Sequence, residues 1–313
     1  MKILFLGHHR ADLLSDSFLN GLLLKKEHEV YMDPFPVWLF PSLSNEVDYN
    51  GNHAYTYYSM SEYKKKDTTD LKQKILNRFF DLVIYGRVTK NSSYINEVVT
   101  AYPKEKVIFM DGEDGQDISM LNSLVNHGVC FKRELNGSHE GIHPIWFGFP
   151  ETKISNTVLK KTHDLSEIIP GDFSTYIFGN EHLYYETLNR SKFAFTWAKG
   201  GWDCGRHLEI VFNNCLPYFS DIHHCPKETM HLHPKKKYEE IVEKIPEWKS
   251  IHPDVRAIPI PEGFDQNPSD KLNIKMNIDR NWYDDILREV FEVCKEKLTC
   301  DKMVDYILNE IKV

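Results

Sequence analysis

Arg206 and Glu209 stand three residues apart, directly after a loop reading Ala198-Lys199-Gly200-Gly201-Trp202-Asp203-Cys204-Gly205. Residues spaced by three share one face of a helix, so the pair would project together if a helix opens near Arg206. Backbone amides at a helix start attract anions, and glycines let a phosphate come close to the chain. Arg206 in the first turn can grip a diphosphate with its forked donors. Glu209, one turn on, can accept from ribose hydroxyls. Lys199, Gly200, Gly201, Trp202 and Asp203 complete the candidate cradle, and Trp197 and Trp202 offer flat faces for a base or a sugar. The bland alternative is a surface ion pair between Arg206 and Glu209. The loop matches neither a Walker nor a GxGxxG pattern, which argues against an ATPase or a dehydrogenase.

A second concentration of charge lies upstream in Asp111-Gly112-Glu113-Asp114, after the apolar run Val107–Met110, and in Lys132-Arg133-Glu134 after Val129-Cys130-Phe131. Carboxylates crowded in one turn can raise one another's pKa, although a solvated acidic turn would look the same. Lys132-Arg133-Glu134 reads either as an exposed charge run or, after a buried strand, as a place where Lys132 or Arg133 points into the expected cleft. His8, His9 and Asp12 follow the first apolar run and Arg87 follows another; all are candidates for acceptor or phosphate contacts. His223, His224, His231 and His233 share a segment with Cys225, but their spacing matches no helix-borne metal pair. No Asp-x-Asp motif stands out, so no metal and no cofactor are expected.

The elements that must position these residues alternate. Lys2–Leu6 reads as a buried first strand, residues 11–26 as a helix, and Val30-Tyr31 as a second strand. Residues 41–66 lack periodicity. Strands at 81–86, 107–110 and 129–131 alternate with helical periods at Leu71–Phe79, Ile95–Val99 and Ile118–Val125. This rhythm predicts a doubly wound parallel sheet. His143-Pro144-Ile145-Trp146-Phe147-Gly148-Phe149-Pro150 breaks it and reads as a linker. The alternation resumes with the strand Phe193–Trp197, a helix over Arg206–Asn214, a strand at Leu216–Phe219, a helix around Tyr238–Ile245 and a strand at Val255–Ile260, and it ends in helices. The expected fold class is therefore α/β, with two Rossmann-like domains, 1–145 and 146–280, facing across a cleft. C-terminal helices at 281–313 are expected to return to the first domain.

At 313 residues, two domains of roughly 150 residues each are the natural division. A net charge of −8, with only two short lysine triplets, argues against nucleic acid as a partner, short of a local basic groove. Six scattered cysteines without a CxxC pair fit a reducing cytosol. No apolar run is long enough to span a bilayer, which leaves peripheral contact open.

The run from Ser191-Lys192-Phe193 through the glycine loop, Arg206-x-x-Glu209 and Cys215-x-Pro217 resembles the donor-binding half of GT-B glycosyltransferases, in particular the exostosin-like pattern. Upstream, Asp111-Gly112-Glu113-Asp114, Phe131-Lys132-Arg133-Glu134 and the 143–150 stretch are similar to a group of microbial and viral glycosyltransferases. The resemblance covers roughly residues 80–220. It departs in one place, because Pro217 stands eight residues after Glu209 where a second glutamate is usual. The resemblance implies transfer of a sugar from a UDP- or GDP-sugar to a glycan or other hydroxyl acceptor in the cytoplasm, or the host cytoplasm if the chain is viral. It also implies a metal-independent donor site in which Arg206 and the helix dipole neutralise the leaving diphosphate. An inverting enzyme needs a general base. Asp111 is the first choice, with Glu113 and Asp114 beside it, and Asp12, Asp16, His8 or His9 as alternatives. Two other readings remain open: a phage-type transferase acting on modified DNA bases, and a catalytically silent sugar-nucleotide or glycan-binding protein.

Overall fold

The computed structural model describes residues 1–40, 55–57, 63–170, 175, 180–246, 248 and 278–311. Most of the aperiodic stretch 41–66, and the strand expected at Val255–Ile260, lie outside them. The chain divides into two compact units. One comprises Met1–Glu151, Pro226–His231 and Leu298–Val313, and the other Thr152–Cys225 and Leu232–Lys297.

The first unit is built on six parallel strands: β1 (Lys2–Leu6), β2 (Glu29–Asp33), β3 (Leu82–Tyr85), β4 (Val107–Asp111), β5 (Val129–Lys132) and β6 (Ile142–Pro144). Their order is β2-β1-β3-β4-β5-β6. Strands buried on both faces read as continuous apolar runs, and the two faces separate residue by residue. Ile3, Phe5, Ile84, Ile108 and Met110 enter one core with helix α1 (Leu13–Leu24). Leu4, Leu6, Val83, Tyr85 and Phe109 enter another with α2 (Leu71–Leu76), α3 (Ile95–Ala101) and α4 (Ser119–Leu124). The sheet is thus doubly wound. Strand order reverses between β1 and β3, so the loops leaving their carboxyl ends flank the crevice where α/β folds place ligands.

The stretch 143–150 departs from its reading as a linker. β6 pairs in parallel with β5, and Ile145, Trp146, Phe147 and Phe149 are buried. Pro144 is compatible with this because β6 is an edge strand. The apolar content of the segment outweighs its turn residues.

The second unit contains, among the described residues, three parallel strands: β7 (His163–Leu165), β8 (Ser191–Thr196) and β9 (Leu216–Phe219), with β8 central. Among the described residues four helices accompany them: α5 (Glu181–Arg190), α6 (Gly205–Phe212), α7 (Lys235–Lys244) and α8 (Arg280–Lys297). Phe193, Phe195, Tyr218 and Trp248 pack edge to face around β8. Both units are compatible with Rossmann-like folds.

The two C-terminal helices part company. α8 belongs to the second unit, whereas α9 (Cys300–Glu310) packs on α1 in the first. A Cβ on Gly21 would sit 2.0 Å from the Cys300 carbonyl oxygen, so only glycine permits this approach.

Candidate functional site

In the second unit the loop of interest leaves the carboxyl end of β8 and opens α6, the strand–loop–helix arrangement that the spacing predicts. His207 fastens it. Its Nδ1 lies 2.9 Å from the Thr196 hydroxyl, before the loop, and its Nε2 lies 2.8 Å from the Trp202 carbonyl oxygen, within it. A carbonyl can only accept, so Nε2 carries the proton and Nδ1 accepts from Thr196. The Ala198 amide donates to Asp221 at 3.2 Å, and the Lys199 amide to the Gly201 carbonyl at 3.1 Å. Lys199 and Gly200 are exposed, and Gly201 and Trp202 half-buried.

Trp197, for which core packing is an equal reading from the sequence, and Asp203 of the expected cradle both face inward. Trp197 is buried, so its ring belongs to the core. Asp203 is buried as well, with Oδ1 3.7 Å from His233 Nε2. Burial, together with the neighbouring His207, holds the His233 pKa well below the usual histidine value. Asp203 therefore faces the interior, toward His233, rather than outward from the loop.

Arg206 and Glu209 are half-buried and share a helix face, but they meet through a third residue. Arg206 donates through NH1 to the Tyr184 hydroxyl at 3.2 Å, through NH2 to the Ile168 carbonyl at 2.9 Å, and through Nε to the Phe195 carbonyl at 3.4 Å. Tyr184 in turn donates to Glu209 Oε2 at 2.9 Å. Neither Tyr184 nor His207 was singled out by spacing. Tyr184 comes from another helix, and His207 carries no signal beyond its place in the run.

The starts of α1 and α6, each following a sheet strand, differ electrically. α1 begins under Asp12, whose side chain accepts the Ser15 amide at 2.9 Å, with Asp16 in its first turn. A carboxylate already occupies that N-terminus. α6 begins at Cys204, which gives no side-chain cap, and has no acidic residue in its first turn. Of the two, α6 is the one suited to an anion.

In the first unit, the expected candidates cluster where the strand order reverses. Arg87 joins Asp12 (NH1–Oδ2, 2.8 Å) to Glu113 (NH2–Oε1, 3.0 Å), and Thr89 donates to the same Glu113 oxygen at 3.1 Å, with Lys90 at 3.5 Å. Asn91 donates to the Gly7 carbonyl at 2.5 Å, tying the two loops together. His8 is half-buried and accepts the Arg10 amide at Nδ1 (3.3 Å), which places its ring proton on Nε2 when neutral. His9 is exposed. Burial pushes the Glu113 pKa up, but the contacts with Arg87, Thr89 and Lys90 outweigh it and the carboxyl sits below its usual range. Crowding in the acidic turn thus does not raise this pKa, because cations accompany the carboxylates. Among the described residues, the carboxyl with a raised pKa is Asp16, buried and bonded to the uncharged donors Trp38 Nε1 (3.1 and 3.2 Å) and the Asp12 amide (3.1 Å).

Asp111 ends β4, but its carboxylate turns inward. Oδ2 meets Lys132 Nζ at 2.9 Å, Oδ1 accepts the Glu113 amide at 2.9 Å, and the two side chains are 3% and 0% exposed. Lys132 and Arg133 are likewise buried, contrary to the outward placement expected of a charge run. Lys132 also donates to the Glu113 carbonyl at 3.3 Å, and Arg133 to the Gly112 carbonyl at 3.1 Å and to Glu134 at 2.6 Å. Arg133 also pairs with Asp114 and lies over the Phe147 ring at 4.7 Å. These two cations clamp the acidic loop. Asp114, with a side chain 66% exposed, is the carboxylate it presents outward.

Among the described residues, no cluster of three or more His, Cys, Asp or Glu side chains is placed to hold a metal ion, and no helix is long and apolar enough to cross a membrane. No family model and no curated protein matches this chain.

Proposed function

We propose that the chain is a glycosyltransferase that takes its sugar from a UDP- or GDP-sugar and passes it to a hydroxyl of a glycan or another small acceptor, as a GT-B enzyme would. One observation carries the reading: a loop with two adjacent glycines leads from β8 into a helix with no acidic residue in its first turn and Arg206 within it. Such a start is a natural seat for a diphosphate. Three of the five guanidinium N–H donors hold protein oxygens, leaving two for phosphate.

In the reaction, the bond from the anomeric carbon to the diphosphate oxygen breaks as the acceptor oxygen bonds to that carbon. The leaving diphosphate gains negative charge, which the loop amides and Arg206 stabilise in place of a metal ion. The acceptor proton passes to a general base. Within the first unit, Asp114 is the outward-facing carboxylate of the 111–114 loop and is better exposed for such a role than Asp111, which fixes the loop through Lys132. Inversion at the anomeric carbon follows from this single displacement.

The test is to incubate the purified protein with a panel of nucleotide sugars, following thermal stability and release of the nucleoside diphosphate. A ligand at a hundred times its Kd should stabilise the fold by about 2.7 kcal/mol. Stabilisation by one nucleotide class, with diphosphate released when an acceptor is supplied, is the expected result. Binding without release would make the protein a sugar-nucleotide binder. Salt-sensitive DNA binding with sugar transfer to DNA would point to a base-modifying enzyme. Stabilisation by no nucleotide would refute the proposal.

A further inference from the structure

Tyr184 stands on α5, outside the glycine loop and the helix that follows it, yet its hydroxyl lies between the two residues on which the donor site depends. The directions of its bonds are forced. A guanidinium can only donate and a carboxylate can only accept, so the oxygen accepts from Arg206 NH1 (3.2 Å) and the hydroxyl proton goes to Glu209 Oε2 (2.9 Å). Burial, with the adjacent Glu209 charge, holds the Tyr184 pKa well above the usual phenol value, so this polarity persists across the physiological pH range.

We infer that Tyr184 is a positioning residue of the donor site, holding the Arg206 fork for the diphosphate and the Glu209 carboxylate for the ribose in one fixed relation. The inference rests on the donor-site reading above. Its physical content is pre-organisation. An arginine side chain that must be ordered on binding costs rotamer freedom, and here the ordering is done in advance by the tyrosine bridge. The carbonyls of Ile168 and Phe195 anchor the remaining nitrogens of the same fork. Arg206 and Glu209, three residues apart, could have paired directly on the helix surface. Routing the contact through α5 instead ties the site to a second helix.

The experiment is titration calorimetry with uridine diphosphate and guanosine diphosphate on the full chain, comparing wild type, Tyr184→Phe, Glu209→Gln and the double variant. Tyr184→Phe removes one oxygen and no ring volume. For the diphosphate that binds wild type, it should weaken affinity about two- to tenfold, the scale of one side chain left unordered. The double variant should lose less than the product of the two single losses, because both act through one bridge. With the matching nucleotide sugar, KM should rise more than kcat falls, a split that a general loss of stability would not produce. Unchanged affinity in Tyr184→Phe, or single losses that simply multiply, would overturn the inference while leaving the donor site standing. If wild type binds neither diphosphate, the donor-site reading fails and this inference fails with it.

Discussion

Lys132→Met tests whether the acidic loop is held by a buried ion pair. The Lys132 side chain is fully buried and its Asp111 partner is 3% exposed, 2.9 Å away. Removing the ammonium strands a carboxylate in the interior, and breaking such a pair from one side costs about 3–5 kcal/mol. At about 2–4 °C per kcal/mol for domains of this size, the unfolding midpoint of the first unit should fall by roughly 6–20 °C. Methionine nearly matches the lysine stem in volume, so little of the loss is cavity. The decisive comparison is Lys132→Met with Asp111→Leu. Replacing both charges by apolar groups is often neutral, so the double variant should recover most of the loss in calorimetry. A single-variant loss below about 1 kcal/mol, the size seen for exposed pairs, would refute the buried-clamp reasoning. So would a double variant less stable than either single one.

Two further outcomes follow from the first unit's packing. Gly21→Ala should destabilise by about 1–3 kcal/mol or more, read from denaturant midpoints, because the added methyl would meet the Cys300 backbone oxygen at 2.0 Å and backbone cannot easily yield. Asp16→Asn should stabilise the protein by about 1 kcal/mol or more at neutral pH, since Asp16 is buried, forms no ion pair among the described residues, and has a raised pKa. The sign follows from linkage. A raised folded-state pKa contributes stability that is fully present below the unfolded value and is lost as pH rises through the folded one. The variant's advantage should therefore shrink as pH is lowered toward 4, and a constant advantage would contradict it.

Much of the first unit was legible because parallel strands covered on both faces must be apolar at every position, as in Ile3–Leu6, Leu82–Tyr85 and Val107–Met110. β7 was not, because three residues with a charged centre carry no period. β6 was hidden behind proline and histidine in a stretch whose neighbours Ile145, Trp146, Phe147 and Phe149 are large, apolar and buried. The charged triplet at 132–134 reads locally as a surface run. Its burial depends on Asp111, Asp114 and the carbonyl of Gly112, which only the β4–β5 pairing brings within reach. The glycine loop and the shared face of Arg206 and Glu209 were legible from local spacing. Tyr184 was not, since its bonds cross 22 and 25 residues of chain between helices.

The measurement that bears most directly on the donor site is a crystal structure of the protein soaked with uridine diphosphate or guanosine diphosphate. The expected density places the two phosphates against the amides of residues 200–206 with Arg206 in contact, and Arg206→Ala should weaken binding by roughly ten- to a hundredfold, the worth of a charge-assisted contact. A nucleotide bound elsewhere, with that loop empty and the affinity indifferent to Arg206, would contradict the account.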